Sequence, residues 1–575
     1  MAKNVNAKTW ALEPDAEGYR WSNAGGSENL PPVWAGAPAS LNAVPGALVN
    51  FYQWASDPNG DALTFSLSQI PTGYSITTAG VLTVGSGSGT VVVRATDPGG
   101  LYAETVCSVV VSQPTTGDAH FIIPSSVSTW DASVLQTRAT GGQSVPNSIV
   151  NCIVELSAGT SWTAATGGTR GALTIKKPTG KPNAKMIVRN PFGAKVTVSA
   201  GSGALLTLDT PKSVVLDGSY GTPTAGDGTV CGILVRASNA NTYGDQALKC
   251  LGYWQDLTIR NIEVDGRIST FDATKLGVGI STNDQSTVWG SSGGSALWKD
   301  GLLIENCHVH HVQGEAIYCG GNYAAGVAPQ RNCVVRNNWV HDTGRDCLNC
   351  KAWWEGDNQV YGNLFERSGL NISSTSPENG QGSGLSFFSA RGTVYNNTII
   401  DSGEIGIKFL IGNGPIKNQS TAGVYPAYSE WPIYVYNNLV VNAGVRDAGN
   451  TDDGRGISIR MGSPPTNLVP YRPNIYNNTV VDSESAGVFS NDANNAILPG
   501  FVRNNVLIGN LVPTDLSGQM SGKDANNKTT GTLTAAYKLT AEDVAVGTIG
   551  VDISAFDHDN VSRTPVASKG AYEFA

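Results

Sequence analysis

Six short stretches hold the residues of this chain best suited to chemistry. They read EAIYCG from Glu315, DCLNCK from Asp346, SGLSFF from Ser383, IGIKFL from Ile405, RGISIR from Arg455 and AGVFSN from Ala486. The third residue of each (Ile317, Leu348, Leu385, Ile407, Ile457, Val488) is apolar. On a strand that residue points inward, and residues one and three places later point outward. Two outward columns follow: Tyr318, Asn349, Ser386, Lys408, Ser458, Phe489, and Gly320, Lys351, Phe388, Leu410, Arg460, Asn491. With neighbouring strands about 4.8 Å apart, Lys351, Lys408 and Arg460 place cations on one face, with Glu315 and Asp346 beside them. Tyr318, Asn349 and Ser386 add hydrogen-bonding groups, and Trp353, Trp354, Phe387 and Phe388 are expected to add aromatic surface. Such a face suits an anionic, hydroxyl-rich ligand. The plainer reading is that Lys351 and Lys408 only solubilise a sheet face.

A repeat must position these residues. The phrase VVRNNWVHDTG at Val334 returns as QVYGNLFERSG at Gln359, TVYNNTIIDSG at Thr393, YVYNNLVVNAG at Tyr434, NIYNNTVVDSE at Asn474 and FVRNNVLIGN at Phe501. A more divergent copy, LLIENCHVHHVQG, begins at Leu302. The aligned asparagines Asn338, Asn363, Asn397, Asn438, Asn478 and Asn505 are 25, 34, 41, 40 and 27 residues apart. Repeats of this period mark a solenoid, whose units bury their apolar faces only against neighbours. Alternation of apolar and polar residues within each phrase makes it a strand with one buried face. An Asn-Asn pair suits a bend, because asparagine tolerates the left-handed region and stacked amides can bond along an axis. The predicted fold is all-β: a right-handed parallel β-helix over 118–510, its loops of varying length extruded on one side.

Composition agrees. The chain of 575 residues has 69 glycines and only 14% charged residues, which favours short strands and turns over helices. The net charge of −9 and the lack of a basic run exclude nucleic acid as a general partner, and an acidic ligand would need a local cation. No segment is apolar enough to enter a membrane, and the N-terminus lacks the apolar core of a Sec-type leader. Nine cysteines give no disulfide framework. Cys319 and Cys350, on adjacent coils, are expected to be free thiols. Cys347 and Cys350 form a CxxC whose odd spacing on a strand would send them to opposite faces. His310 and His341 match in consecutive coils, followed by His311 and Asp342. Stacked polar residues at a bend are the favoured reading there over a metal site.

In chain order, residues 1–30 are read as a polar arm or attachment segment, and 31–112 as a small β-sandwich. A short linker leads to the β-helix, and residues 511–575 are expected to pack back on it. The 31–112 segment resembles cadherin-like or immunoglobulin-like modules in Trp34, Asp57 to Asp61, the run from Gly80, and Ala95 to Gly100. Asp57, Asp61 and Asp97 offer calcium ligands there, but aspartate in such turns usually caps the turn.

The stretch Asp346 to Lys351, followed by Asn358 and Gly-Asn-Leu-Phe365, resembles the family 6 motif of parallel β-helix polysaccharide lyases. That resemblance implies Lys351 as catalytic base and Asp346 as a calcium ligand. Asp346 and Asn349 also resemble the acidic calcium motif of family 9, and Gly406-Ile-Lys408 resembles its base-bearing Gly-Phe-Lys. Arg345 stands where family 9 has an acid, and Phe388 where family 6 would place an arginine. Elimination across a uronate removes a proton beside a carboxylate, so the carboxylate charge must be neutralised. A calcium ion on Glu315, Asp346 and Asn349 would do this, and nearby cations would lower the pKa of the lysine. Carboxylates offer a hydrolase instead, from among Asp342, Asp346, Glu355, Asp357, Glu366, Asp401 and Glu404.

The sequence therefore reads as a protein that binds, and is expected to depolymerise, an acidic uronate-containing polysaccharide. Elimination is the first choice, with Lys351, Lys408 and Arg460 catalytic and Tyr318, Asn349, Trp353, Trp354, Ser386 and Phe388 binding substrate. The missing leader and the polar arm favour a virion tailspike, held to other virion proteins through the arm and homotrimeric as that class is, or an extracellular protein. A bacterial lyase outside a phage, a carboxylate-pair glycoside hydrolase and a non-enzymatic adhesin remain open.

Overall fold

The computed structural model describes residues 10–15, 18–23, 29–35, 37, 39–43, 48–85, 87–111, 119–123, 129–131, 151–156, 161–163, 173–176, 185–190, 195–200, 204–209, 211–220, 231–237, 245–268, 277–282, 299–320, 329–371, 381–411, 430–445, 454–461, 470–491, 497–533 and 537. By contact the chain divides into two units, Met1–Thr116 and Gly117–Ala575. No helix among the described residues is long and apolar enough to cross a membrane.

In the first unit a four-stranded sheet (Ser40–Ala43, Tyr102–Val111, Gly89–Thr96, Thr64–Gln69) and a three-stranded sheet (Leu48–Asn50, Val81–Thr83, Ser75–Ile76) contribute to one core. Phe51, Phe65, Leu82, Val91 and Val93 fill it. Asp57 and Asp97 cap turns. Asp57 Oδ1 accepts the N–H groups of Asn59 (2.8 Å) and Asp61 (3.2 Å), and Asp97 Oδ1 accepts that of Leu101 (2.9 Å). Within the segment expected to be an arm or attachment segment, Trp10–Asp15 pairs antiparallel with Gly18–Asn23.

The second unit is a right-handed parallel β-helix. Its three parallel sheets contain fourteen, twelve and eleven strands among the described residues. Near-equal numbers are what a coil giving one strand to each sheet produces. In the coil from Gln330 these are Gln330–Arg336 in sheet one, Trp339–Thr343 in sheet two and Leu348–Lys351 in sheet three. Stacked apolar residues fill the interior. Ile317, Leu348, Leu385, Ile407, Ile457 and Val488 are register neighbours in sheet three, all fully buried. Val309, Val340, Phe365, Ile399, Val440 and Val480 do the same in sheet two.

The asparagine pairs divide two tasks at the bend from sheet one to sheet two. The first residue takes the left-handed conformation: Asn337, Asn396, Asn437, Asn477 and Asn504 have φ of 53–58°, and Gly362 stands in with φ 64°. The second turns its side chain inward. Asn338, Asn363, Asn397, Asn438, Asn478 and Asn505 each donate Nδ2–H to the Oδ1 of the next, at 2.9–3.0 Å. That same Oδ1 accepts the backbone N–H of the residue below it, for instance Asn363 N to Asn397 Oδ1 at 3.2 Å. Backbone groups that the bend takes out of the sheets thus find partners without water.

The pattern expected to stop at Asn510 runs one coil further. Val512–Leu516 joins sheet three, Asp524–Ala525 joins sheet one, and Asn527 extends the ladder from Asn505 at 3.0 Å. This last Asn-Asn lacks the flanking apolar phrase, so the sequence hid it. The closing GAYEFA lies outside the described residues.

Candidate functional site: a charged face on sheet three

The register of sheet three places Tyr318, Asn349, Ser386, Lys408, Ser458 and Phe489 in one outward column. Lys351, Phe388, Leu410 and Arg460 occupy the next. Glu315 and Asp346 join this face because of the corner just before each strand. The corner column is Ala316, Cys347, Gly384, Gly406, Gly456 and Gly487. A Cβ on Gly406 would lie 2.4 Å from Val440 Cγ1, so this position points at the interior of sheet two and only small residues fit. The residue before it therefore faces out, which aims Glu315 and Asp346 at the outer face. Cys347 sits at this corner rather than on the strand, so both cysteines of the CxxC are fully buried. Cys319 and Cys350 are register partners with free thiols, pushed up by burial.

The charges gathered here are withdrawn from water. Glu315, Arg345, Asp346, Glu404, Lys408 and Arg455 are each at most 8% exposed. Asp346 Oδ1 accepts the backbone N–H of Ser383 at 2.7 Å, and Oδ2 accepts Asn349 Nδ2–H at 3.0 Å. Arg345 Nη1 stands 3.5 Å from Glu315 Oε1, and Glu404 Oε2 accepts the N–H of Gly382 at 3.1 Å. Burial raises the Asp346 carboxyl to about 7; Lys408 opposes the rise, and Glu315 and Glu404 add to it. Burial lowers the Lys351 ammonium, against the pull of Glu315 and Asp346. The Lys351 Nζ lies 4.8 Å from the ring centre of Tyr318 and 5.5 Å from that of Phe388. The Tyr318 hydroxyl is pushed up, mainly by burial and then by Glu315. Arg345, Lys351 and Lys408 gather with Glu315, Asp346 and Glu404, and the raised pKa of Asp346 reduces the negative charge of that set; Arg455 lies three strands along the sheet from Asp346.

Several expectations are corrected. Trp353 is fully buried in a strand, Trp353–Glu355, that pairs with sheet one, and its ring meets Phe387 edge-on at 5.7 Å. Trp354 is buried too and donates Nε1–H to the Ser389 carbonyl at 2.9 Å. Ala352, at φ 55°, turns the chain out of sheet three and resets the alternation that would have kept these rings outside. Phe387 points inward and stacks on Phe409 at 4.6 Å. The aromatic wall is thus Tyr318 and Phe388. Arg460 shares the column of Lys351 but lies three strands away, about 14 Å. Of the seven hydrolase candidates, only Asp346 and Glu404 reach this face. Asp342 and Glu366 are held on sheet two by Arg367 and Trp339. The contributions of Arg455 and Glu404 were legible only as the positions two and three places before the inward residue.

Glu315, Asp346 and Asn349 do come together, yet they fit calcium poorly. Arg345 already pairs with Glu315, both Asp346 oxygens accept hydrogen bonds, and Asn349 presents its N–H to Asp346. Its Oδ1 is buried without a hydrogen-bond partner, an acceptor suited equally to a sugar hydroxyl.

No family model matches this chain, and no curated protein does. Among solved structures, the chain is similar to the A-modules of the Azotobacter vinelandii mannuronan C-5 epimerases AlgE4 and AlgE6. Identity is 13% and 14%, over 68% and 66% of this chain and 91% of each of those, with TM-scores of 0.25 and 0.24. Likeness of this degree carries no weight for function.

Proposed function

We propose that the chain binds an acidic, uronate-containing polysaccharide on the outer face of sheet three and cleaves it by β-elimination. The observation behind this reading is the recessed cluster of cations and carboxylates around Asp346, with a lysine of lowered pKa beside a tyrosine. Arg345 and Lys408 would neutralise the uronate carboxylate, and the Asp346 carboxyl, neutral in part near pH 7, would donate to it. The neutral Lys351 amine would take the proton from the carbon bearing that carboxylate. The freed electron pair forms the carbon–carbon double bond as the glycosidic oxygen departs, and that oxygen takes a proton from Tyr318 or from water. Asn349 and Ser386 would hold sugar hydroxyls.

A second reading has its own support: Asp346, with its raised pKa, and Glu404 are the two of the seven hydrolase candidates that reach this face, and would serve as acid and base of a hydrolase. Incubation with a panel of acidic glycans separates the readings. New ultraviolet absorbance from unsaturated uronate marks elimination, reducing ends without it mark hydrolysis, and retention of glycan with neither marks an adhesin. Lys351→Ala should lose about 10²–10⁴-fold in turnover while still retaining glycan. Full activity in both Lys351→Ala and Lys408→Ala would end the lyase reading. Activity abolished by chelator and restored by calcium would return Glu315, Asp346 and Asn349 to a metal-binding role. The setting we favour is a virion tailspike, trimeric by analogy with that class, which sedimentation of the purified chain tests.

A further inference from the structure

Four of the chain's six histidines meet on the outer face of sheet two, away from the charged face of sheet three. Their arrangement follows from register. Glu263 and Asp265 pair with His308 and His310 on the next coil, which pair with Trp339 and His341 on the one after. Alternate residues of a strand share a face and adjacent strands lie about 4.8 Å apart, so these side chains form a two-by-three grid. Val264, Val309 and Val340 between the columns are fully buried, which fixes the grid outward.

Within the grid, nitrogen atoms face one another. His308 Nε2 lies 2.9 Å from His341 Nε2, and His310 Nδ1 lies 2.7 Å from His311 Nδ1. The rings of His310 and His341 stack at 5.2 Å, and that of His308 lies flat on Trp339 at 4.3 Å. Glu263, His308 and His310 offer one ligand atom each within 4.8 Å of one another. His310 Nε2 is buried without a hydrogen-bond partner and stands 3.5 Å from Glu263 Oε1. His341 is oriented from behind: its Nδ1 lies 2.7 Å from Asp342 Oδ2, and Asp342 is clamped by Arg367 Nε at 2.7 Å. A carboxylate on the far nitrogen is how ligating histidines are commonly held, and it leaves Nε2 facing the cluster.

We infer that Glu263, His308 and His310, joined by His341 Nε2, form a binding site for a borderline divalent metal ion of the zinc class. Imidazole with one carboxylate suits such ions, whereas calcium and magnesium prefer all-oxygen sets. Tetrahedral bonds of about 2.0–2.1 Å set donors roughly 3.3 Å apart, so rotations of about an ångström or two close the three grouped donors on an ion, and His341, reached through His308 at 2.9 Å, must turn further to add the fourth. Glu263 is paired with Lys195, whose side chain is 45% exposed and can swing into solvent as the metal arrives. The second grouping, Asp265, His310 and His311, shares His310 and is the poorer set. Asp265 is held by Arg236 at 2.9 Å and by the Arg267 N–H at 2.9 Å. Bound there, the ion ties three successive coils together, and in a solenoid contacts between neighbouring coils set stability. It acts as a clamp, independent of any chemistry on sheet three.

The test uses the full, untagged chain, stripped with chelator and titrated with zinc chloride by calorimetry, with calcium and magnesium chlorides in parallel. Expected are one zinc per chain, no comparable calcium or magnesium heat, and a melting temperature that rises with free zinc. Glu263→Gln and His310→Ala should each weaken zinc binding by more than about tenfold. Lys195→Met should bind as well as or better than the native chain, and Asp346→Asn should bind unchanged. Glu263→Gln keeps shape and size, so it decides the matter if His310→Ala fails to fold. Absence of saturable zinc binding, or zinc binding unchanged in Glu263→Gln, would overturn the inference.

Discussion

Replacing Asn397 tests whether the asparagine ladder holds the coils together. Its side chain is fully buried and makes bonds in both directions. Oδ1 accepts from Asn363 N at 3.2 Å and Asn363 Nδ2 at 2.9 Å. Nδ2 donates to Val360 O, Tyr395 O and Asn438 Oδ1 at 2.9–3.0 Å. In Asn397→Ala the Asn363 side chain keeps the carbonyls of Val335 and Tyr361, and Asn438 Oδ1 keeps the backbone N–H of residue 397. The backbone N–H of Asn363 loses its acceptor inside the protein. An orphaned buried donor costs about 1–3 kcal/mol and a further lost bond about 0.5–1.5, so the change should cost about 2–4 kcal/mol. Asn397→Asp restores that acceptor but turns an oxygen on the Asn438 oxygen. It should be at least as damaging at pH 7 and recover in part once the acid is protonated in acidic solution. Asn527→Ala, at the half-buried end of the ladder, should cost less than half as much. Guanidinium unfolding followed by tryptophan fluorescence compares the three. Equal costs at 397 and 527, or a native-like Asn397→Asp at pH 7, would refute the view that internal ladder bonds dominate at these bends.

Asp346 titrates near 7 in the fold against about 3.9 unfolded, so the fold holds a proton that the unfolded chain has released. Stability therefore falls as pH rises from about 4 to 7, and Asp346→Asn should melt higher than the native chain at pH 8 but alike at pH 3. Gly406→Ala should cost about 1–3 kcal/mol through crowding against Val440 and the Gly456 carbonyl, read as a lower denaturant midpoint. Lys408→Ala removes a cation that holds down the pKa of both Lys351 and Asp346, so the acid limb set by Lys351 and the alkaline limb set by Asp346 should both move to higher pH. Thiol titration of the denatured, unreduced chain should find Cys319 and Cys350 both free.

The sequence by itself determined the solenoid, its inward columns and the register of sheet three. Strand alternation and a recurring Asn-Asn bend are local signals, and stacking copies of one phrase leaves little freedom in how the columns align. Tyr318, Asn349, Ser386, Lys351 and Lys408 fell into place by the same rule. Tertiary structure decided what interrupts the rule. Ala352 turns the chain so that Trp353 and Trp354 enter the core, and the small-residue corner brings Glu315 and Asp346 out to the lysines. It also raised the pKa of Asp346 and lowered that of Lys351, since burial is a property of the assembled coils and of no single residue. The histidine cluster shows the same division. Spacing put His310 and His341 one above the other, but only the packed coils bring Glu263 and His308 within reach of them.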